Sequence, residues 1–423
     1  MGLRGSTVAL ALAAALAGCT ESPAASLRTD TAAVEDRRVT RADSAGVEIV
    51  TTAEATWPEG EEWRIGDPPL LAVADSALAI RRTAGMTRLS SGEIVVADAG
   101  GRIVLLDSSG AVTRTLASRV AGRPYRTLFW IAAAGDTVLA YDIADHRLVR
   151  YPPAAAPTAI ELRTVARSSF TPLRPLGRFA SGGIVAASGG SSFPFPGDEY
   201  EARRDSAVLL RYSPGGRVRD TLMIVPWGET FGVPTRQGRR QMLVPMPLPY
   251  GRTTSAATAG NRLYVGTGER YEIAVYDTTG ALVRVVRVPV EPDTLTGAAA
   301  DSYVARMRSR VPQGDSLSAD RALADALEQA PFPRRLPAYE RVLVDSSGVI
   351  WVLDAMPITR ESVAWRVFAA DGRYLGVVPM PSRLVVHEIG SDYVLGLWSG
   401  DDGGREIRMY RIQKPVRAAD TAQ

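Results

Sequence analysis

Cysteine occurs once in the 423 residues, at Cys19, so no disulfide can form within a monomer. Histidine occurs twice, at His146 and His387, with no His or Cys neighbour at ligand spacing, so the pair offers no zinc motif. Asparagine and lysine also occur once each, at Asn261 and Lys414. No G-x-S-x-G elbow is present, and the Ser-rich turns near His387 therefore lack a nucleophile turn. The apolar run Val8–Leu16 is too short to span a bilayer as an anchor. Charged residues make up 22% and sum to +3, with acids and bases interspersed. A nucleic-acid surface needs a concentrated basic patch, so no nucleic-acid partner is expected. No cofactor or metal site is expected either.

What is present begins with an export signal. Arg4 is its charged start, Val8–Leu16 its apolar stretch, and Leu16-Ala17-Gly18-Cys19 its cleavage site. That tetrapeptide resembles the bacterial lipoprotein lipobox. The resemblance implies that residues 1–18 are removed and that Cys19 carries the lipid. Acyl chains bury about 0.8 kcal/mol per CH₂, so several on one cysteine make a firm membrane anchor. Thr20, rather than Asp, favours the outer membrane by the sorting pattern of such lipoproteins. Residues 19–44 are small, polar and aperiodic, and read as a flexible tether. The expected address is the bacterial cell envelope.

The body of the chain repeats itself. Gly92–Gly110, G-E-I-V-V-A-D-A-G-G-R-I-V-L-L-D-S-S-G, reads as two β-branched strands, each followed by an Asp/Gly/Ser turn. The pattern recurs after Gly135, Gly182, Gly260, Gly348 and Gly390. Three of the spacings fit the ~40–50 residues of a four-stranded blade, and two are nearly double. The implied fold is all-β: a six-bladed β-propeller over residues 45–414, with a small helical insertion and a tail from 415. Eight blades would require a degenerate blade in each long gap, and the contents of those gaps favour insertions.

The first long gap holds Gly189–Tyr200 and Pro226–Tyr250, whose proline density speaks against a central strand. The second holds a helical pair at about 297–330. Tyr303, Val304 and Met307 share one face of the first helix. Ser318 caps the second, where Leu323, Ala326, Leu327 and Ala330 form a stripe. The last blade supplies only three strands, and the orphan strand Gly46–Thr51 is expected to complete it.

Five stretches are similar to one family: Asp43–Val50, Trp63–Pro69, Tyr271–Gly280, Leu336–Asp345 and Asp392–Trp398. They resemble the exported six-bladed β-propeller lipoproteins of Gemmatimonadota-type bacteria and, more distantly, NHL-repeat propellers. The resemblance covers nearly the whole chain after the tether. It implies fold and envelope location and transfers no catalytic motif. Asp98, Asp142 and Asp354 recur after a blade strand. They could ring a cation, but they read better as turn-bonding residues. The D-S-S-G and D-T-T-G pieces at Asp107, Asp277 and Asp345 read as hairpin turns, since a calcium loop needs a longer run of oxygen ligands. An alternative activity is a propeller hydrolase or lactonase with an axial metal. Gluconolactonase-like sites use asparagine carbonyls, and Asn261 alone argues against that. The leading expectation is a non-catalytic, membrane-tethered propeller that binds an envelope protein or polysaccharide through its inserted loops. Phe193, Phe195, Tyr200, Met246, Tyr250 and Arg252 are the candidate contacts, with Arg203, Arg204, Arg239 and Arg240 nearby. The same loops could instead plug the axial channel.

Overall fold

The computed structural model describes residues 38–163, 173–189, 199–237, 240–309, 325–356 and 361–415. Cys19, the signal segment, Phe193, Phe195, Arg239, Ser318 and Leu323 lie outside them. Among the described residues there are six sheets of four or more strands and one short hairpin at 119–124. Blade 1 runs Thr83–Arg88, Ile94–Asp98, Ile103–Leu106, Val112–Thr115, each strand antiparallel to the next. Blades 2 and 3 begin at Leu128–Ala134 and Leu173–Arg178; blades 4, 5 and 6 begin at Ser255–Ala259, Tyr339–Val344 and Leu384–Ile389. These six first strands are the innermost, and each sheet extends outward from its own.

The second and third strands explain the repeat seen in the sequence. Ile94–Asp98 and Ile103–Leu106 are almost wholly buried, because each radial sheet has a neighbour on both faces. Such strands read as continuous apolar runs instead of alternating ones. The buried side chains of the blades fall into six inter-blade clusters, joining blade 1 to 2, 2 to 3, 3 to 4, 4 to 5, 5 to 6 and 6 back to 1. The architecture is an all-β propeller.

Ring closure differs from the expectation. Val47–Thr52 does not join blade 6. It pairs parallel with Leu282–Arg287 at the outer edge of blade 4, and Val39–Ser44, read as the end of the tether, pairs antiparallel on its far side. From there the chain passes outside blade 5, where Thr56 Oγ1 donates to Tyr374 O at 2.8 Å and Trp57 N to Leu375 O at 2.9 Å. A Cβ on Gly376 would lie 2.3 Å from the Trp57 ring, so that crossing needs glycine. Leu71–Ala74 then pairs with Arg405–Gln413 as the outer strand of blade 6, continued by Arg64–Ile65, before the chain enters blade 1. Val47–Thr52 mixes apolar and polar residues, and Leu71–Ala74 is a short apolar run. Leu71–Ala74 closes the ring because it lies immediately before the first strand of blade 1, whereas 47–52 is separated from it by the belt around blade 5. Gly110, in the left-handed region at φ +87°, packs its bare Cα beside Val73, where a Cβ would approach to 2.5 Å.

Leu71 is 4% exposed and belongs to the core between blades 6 and 1. Leu71→Ala should therefore cost about 2–5 kcal/mol of unfolding free energy. Ile49→Ala, in the partly exposed strand on blade 4, should cost clearly less. Denaturant melts of the two variants check this; equal losses would mean that Leu71–Ala74 is not the closing strand.

Candidate functional site

Strand direction alternates, so each blade presents its first-to-second and third-to-fourth turns at one end of the ring. Its second-to-third turns and interblade connections lie at the other end. The excursions at 189–202, 226–254 and 288–338 all leave from this second end. They also meet. Phe231, Val233 and Leu248 from the first long gap are buried with Ala326, Leu327 and Ala330 from the second, and Tyr200, Met246, Tyr303, Val304, Met307 and Phe332 pack around them. The insertions form one platform with its own core.

The first insertion is strand, contrary to the reading of its prolines. Val218–Gln237 and Arg240–Pro247 form a long antiparallel ribbon that overshoots blade 3. The prolines obey the physics of strands all the same. Pro226 sits beside a register shift, Pro234 lies beyond the last partner on Ala202–Tyr212, and Pro245 and Pro247 are on the outermost strand. The second insertion contains the helix Gly297–Ser309, with Tyr303, Val304 and Met307 turned to the platform core as its periodicity indicates. Tyr303 contacts Tyr250 at 5.2 Å and Phe332 at 6.2 Å between ring centroids. The two legs of this excursion are tied by Leu295 N to Arg334 O at 3.1 Å and Leu336 N to Asp293 O at 2.9 Å.

Several of the sequence-selected residues that the structure describes hold the platform together. Tyr200 and Met246 pack on its core, and Tyr250 stacks on Tyr303. Arg252 pairs with the largely buried Glu229, with Nε to Oε1 at 2.8 Å, and its own N–H donates to Oε2 at 2.7 Å. Arg204 donates to Trp227 O at 3.0 Å, Glu269 at 2.6 Å and Thr267 O at 2.6 Å, fastening the ribbon to blade 4. Arg203 pairs with Asp205 at 3.2 Å. Outward from this core, Met242 on the ribbon is 39% exposed.

The recurring aspartates do turn work. Asp98 accepts from the N–H groups of Gly100 at 2.7 Å and of Arg81 and Arg82 at 2.8 Å. Asp142 accepts from Arg126 at 2.7 Å and from Thr127 and Ala144 at 3.1 Å. Each clamps the loop that leads into its own blade's innermost strand. Asp354 instead takes Arg366 Nε at 2.9 Å. Asp107, Asp277 and Asp345 each accept from the residue two along and the residue four along, as hairpin turns require. Among the described residues no three His, Cys, Asp or Glu side chains come together as a metal site would need.

A feature not read from the sequence is the wall of the axis. The innermost strands of five blades carry a register shift, at Ala84, Phe129, Leu176, Glu340 and His387. A bulge re-aims its side chain, and of these residues Ala84, Leu176 and His387 line the axial cavity. His387 is half-buried in the wall of the axial cavity. Burial pushes its pKa down from 6.5 to about 4, and the neighbouring Arg341 pushes in the same direction.

No protein-family model matches the sequence, and neither does any curated protein. Among solved structures, a member of the DUF4221 family from Bacteroides vulgatus is similar at 10% identity and a TM-score of 0.46, over 84% of this chain and 99% of that one. Virginiamycin B lyase from Staphylococcus aureus is similar at 9% identity and a TM-score of 0.37, over 82% of this chain and 99% of its own. Regucalcin from Agrobacterium tumefaciens, a calcium-binding protein, is similar at 10% identity and a TM-score of 0.38, over 84% and 97%. Strand order and the six inter-blade cores define the fold here, independently of these likenesses.

Because the folded-state pKa of His387 is depressed, the unfolded chain binds a proton that the folded chain refuses. Its contribution to stability is fully present above about 6.5 and is lost as the pH falls toward about 4. Thermal melts across that window should show a decline that His387→Gln reduces; an identical decline in the variant would assign it to other groups.

Proposed function

We propose that this chain is an exported, lipid-anchored, non-catalytic propeller that binds an envelope protein or a polysaccharide through the platform on one end of its ring. The observation that carries the reading is the shared platform core, in which Phe231 and Leu248 from one insertion meet Leu327 and Tyr303 from the other. The six inter-blade cores are complete without it. Ordering those residues costs about 1–2 kcal/mol each, and a rigid surface raised on one face is a use that offsets such a cost. The lipobox-like Leu16–Cys19 supports the anchor, and Thr20 supports an outer-membrane address. With Tyr200, Met246, Tyr250 and Arg252 committed to holding the platform, the contact surface is its outer side, including Met242 and the exposed flank of the helix Gly297–Ser309.

Two measurements test this. Cys19→Ala should move the protein from the membrane fraction to the soluble fraction; continued membrane association would remove the anchor from the reading. Leu327 is 2% exposed, and Leu327→Asp should dissolve the platform core while the ring keeps its main melting transition. In crosslinked pull-downs from detergent-solubilised envelope, that variant should recover at least about tenfold less partner than the unaltered chain, the size of loss typical of hot-spot truncation. Undiminished recovery would place binding away from the platform.

A further inference from the structure

The innermost strands enclose an axial cavity of about 760 Å³, toward the end of the ring opposite the platform. That volume lies in the ~300–1,000 Å³ range of small-molecule sites. An innermost strand has a free edge, and here several of its N–H groups are already satisfied by side chains. Val342 N donates to Ser255 Oγ at 2.8 Å, Arg178 N to Thr258 Oγ1 at 2.8 Å and Arg88 N to Glu388 Oε1 at 3.0 Å.

The charged side chains of the wall are unequally committed. Glu388 also accepts from the Thr87 and Tyr393 hydroxyls, so both of its oxygens are engaged. Asp345 is 1% exposed and directs one oxygen into its own hairpin turn, while its other oxygen is buried without a hydrogen-bond partner among the described residues, so a protonated ligand group or an arginine of the wall has to answer it. The cations are different. Arg341 donates one Nη1 hydrogen to Val386 O. Among the described residues neither Arg341 nor Arg178 has a carboxylate within ion-pair distance. Arg88 has only Asp392 at 4.0 Å and lies 4.9 Å over the Tyr393 ring. Burial alone lowers the Arg341 pKa, with no acidic partner acting against it. A guanidinium enclosed by protein without a counter-charge is costly, and an anion reaching it through the cavity would offset that cost. The rest of the wall includes Trp130, Ile131, Ala257 and Leu343, which would suit a carbon framework.

We infer that this cavity is a binding site for a small organic polycarboxylate, gripped by Arg341 together with Arg88 and Arg178 on three different blades. Guanidinium groups match carboxylates through paired hydrogen bonds, and three separated ones favour a ligand with more than one acidic group. The site is independent of the platform, being built from other residues at the other end of the ring.

The test is isothermal titration of the full chain in detergent with citrate, alongside inorganic phosphate and neutral succinamide. Citrate should bind saturably and raise the melting temperature, and succinamide should do neither. Arg341→Gln should weaken citrate binding by at least about tenfold, as the loss of a charged hydrogen-bond donor does. Arg178→Gln provides a second reading should the first variant melt early without ligand. Absence of saturable citrate binding, or binding unchanged in both variants, would overturn the site. Phosphate binding as tightly as citrate would overturn the assignment to an organic acid.

Discussion

Each sheet of this protein is apolar on both faces, and that is the constraint on which the rest depends. A sheet of this kind cannot be left at the end of a row. The only arrangement that covers every face with like sheets is a closed ring, and the six buried clusters between consecutive blades are that ring. Closure then becomes a problem of chain connectivity. The last blade has three strands of its own, and the segment just before blade 1 lies against its open edge. The N-terminal chain goes further, bracing blades 4, 5 and 6 from outside by strand pairing, by the Trp57 contact on Gly376 and by Arg64–Ile65.

Because the ring is self-sufficient, its two ends are free to differ. One end carries short Asp-based hairpins, whose aspartates are consumed by the turns they make. The other carries the long ribbon of blade 3 and the helical excursion between blades 4 and 5. Each excursion alone would expose an apolar face, the ribbon through Phe231 and the helix through Tyr303 and Val304. Packed together they cover each other. Tyr200, Met246, Tyr250, Arg204 and Arg252, which stand out in the sequence, serve this internal fit.

The axis follows a different logic. Its wall is made of strand edges, where bulges and hydroxyl side chains replace the missing neighbour strand. Glu388 there is engaged by hydroxyls and a backbone N–H group. Among the described residues, Asp345 keeps one buried oxygen without a partner, and the Arg341 guanidinium is buried without a carboxylate at ion-pair distance. The recurring Asp98, Asp142 and Asp354, which in a one-dimensional reading could have ringed the axis, are tied to loops or to Arg366.

The sequence by itself determined what depends on near neighbours in the chain. Buried middle strands needed unbroken apolar runs such as Ile103–Leu106, the Asp-Ser-Ser-Gly turns needed their local carboxylate, and the helix Gly297–Ser309 showed its packed face through Tyr303, Val304 and Met307. It also showed that prolines 226–247 cannot lie in a fully paired sheet, though not that a ribbon with free edges would hold them. Tertiary structure decided what depends on which edge or face is left open. Val47–Thr52 and Leu71–Ala74 are both plausible closing strands as text, and only the path around blade 5 assigns the first to blade 4 and the second to closure. The meeting of Phe231 with Leu327, and of Arg341 with His387 at the axis, joins residues far apart in sequence. Their proximity is set by the closed ring, and no local pattern encodes it.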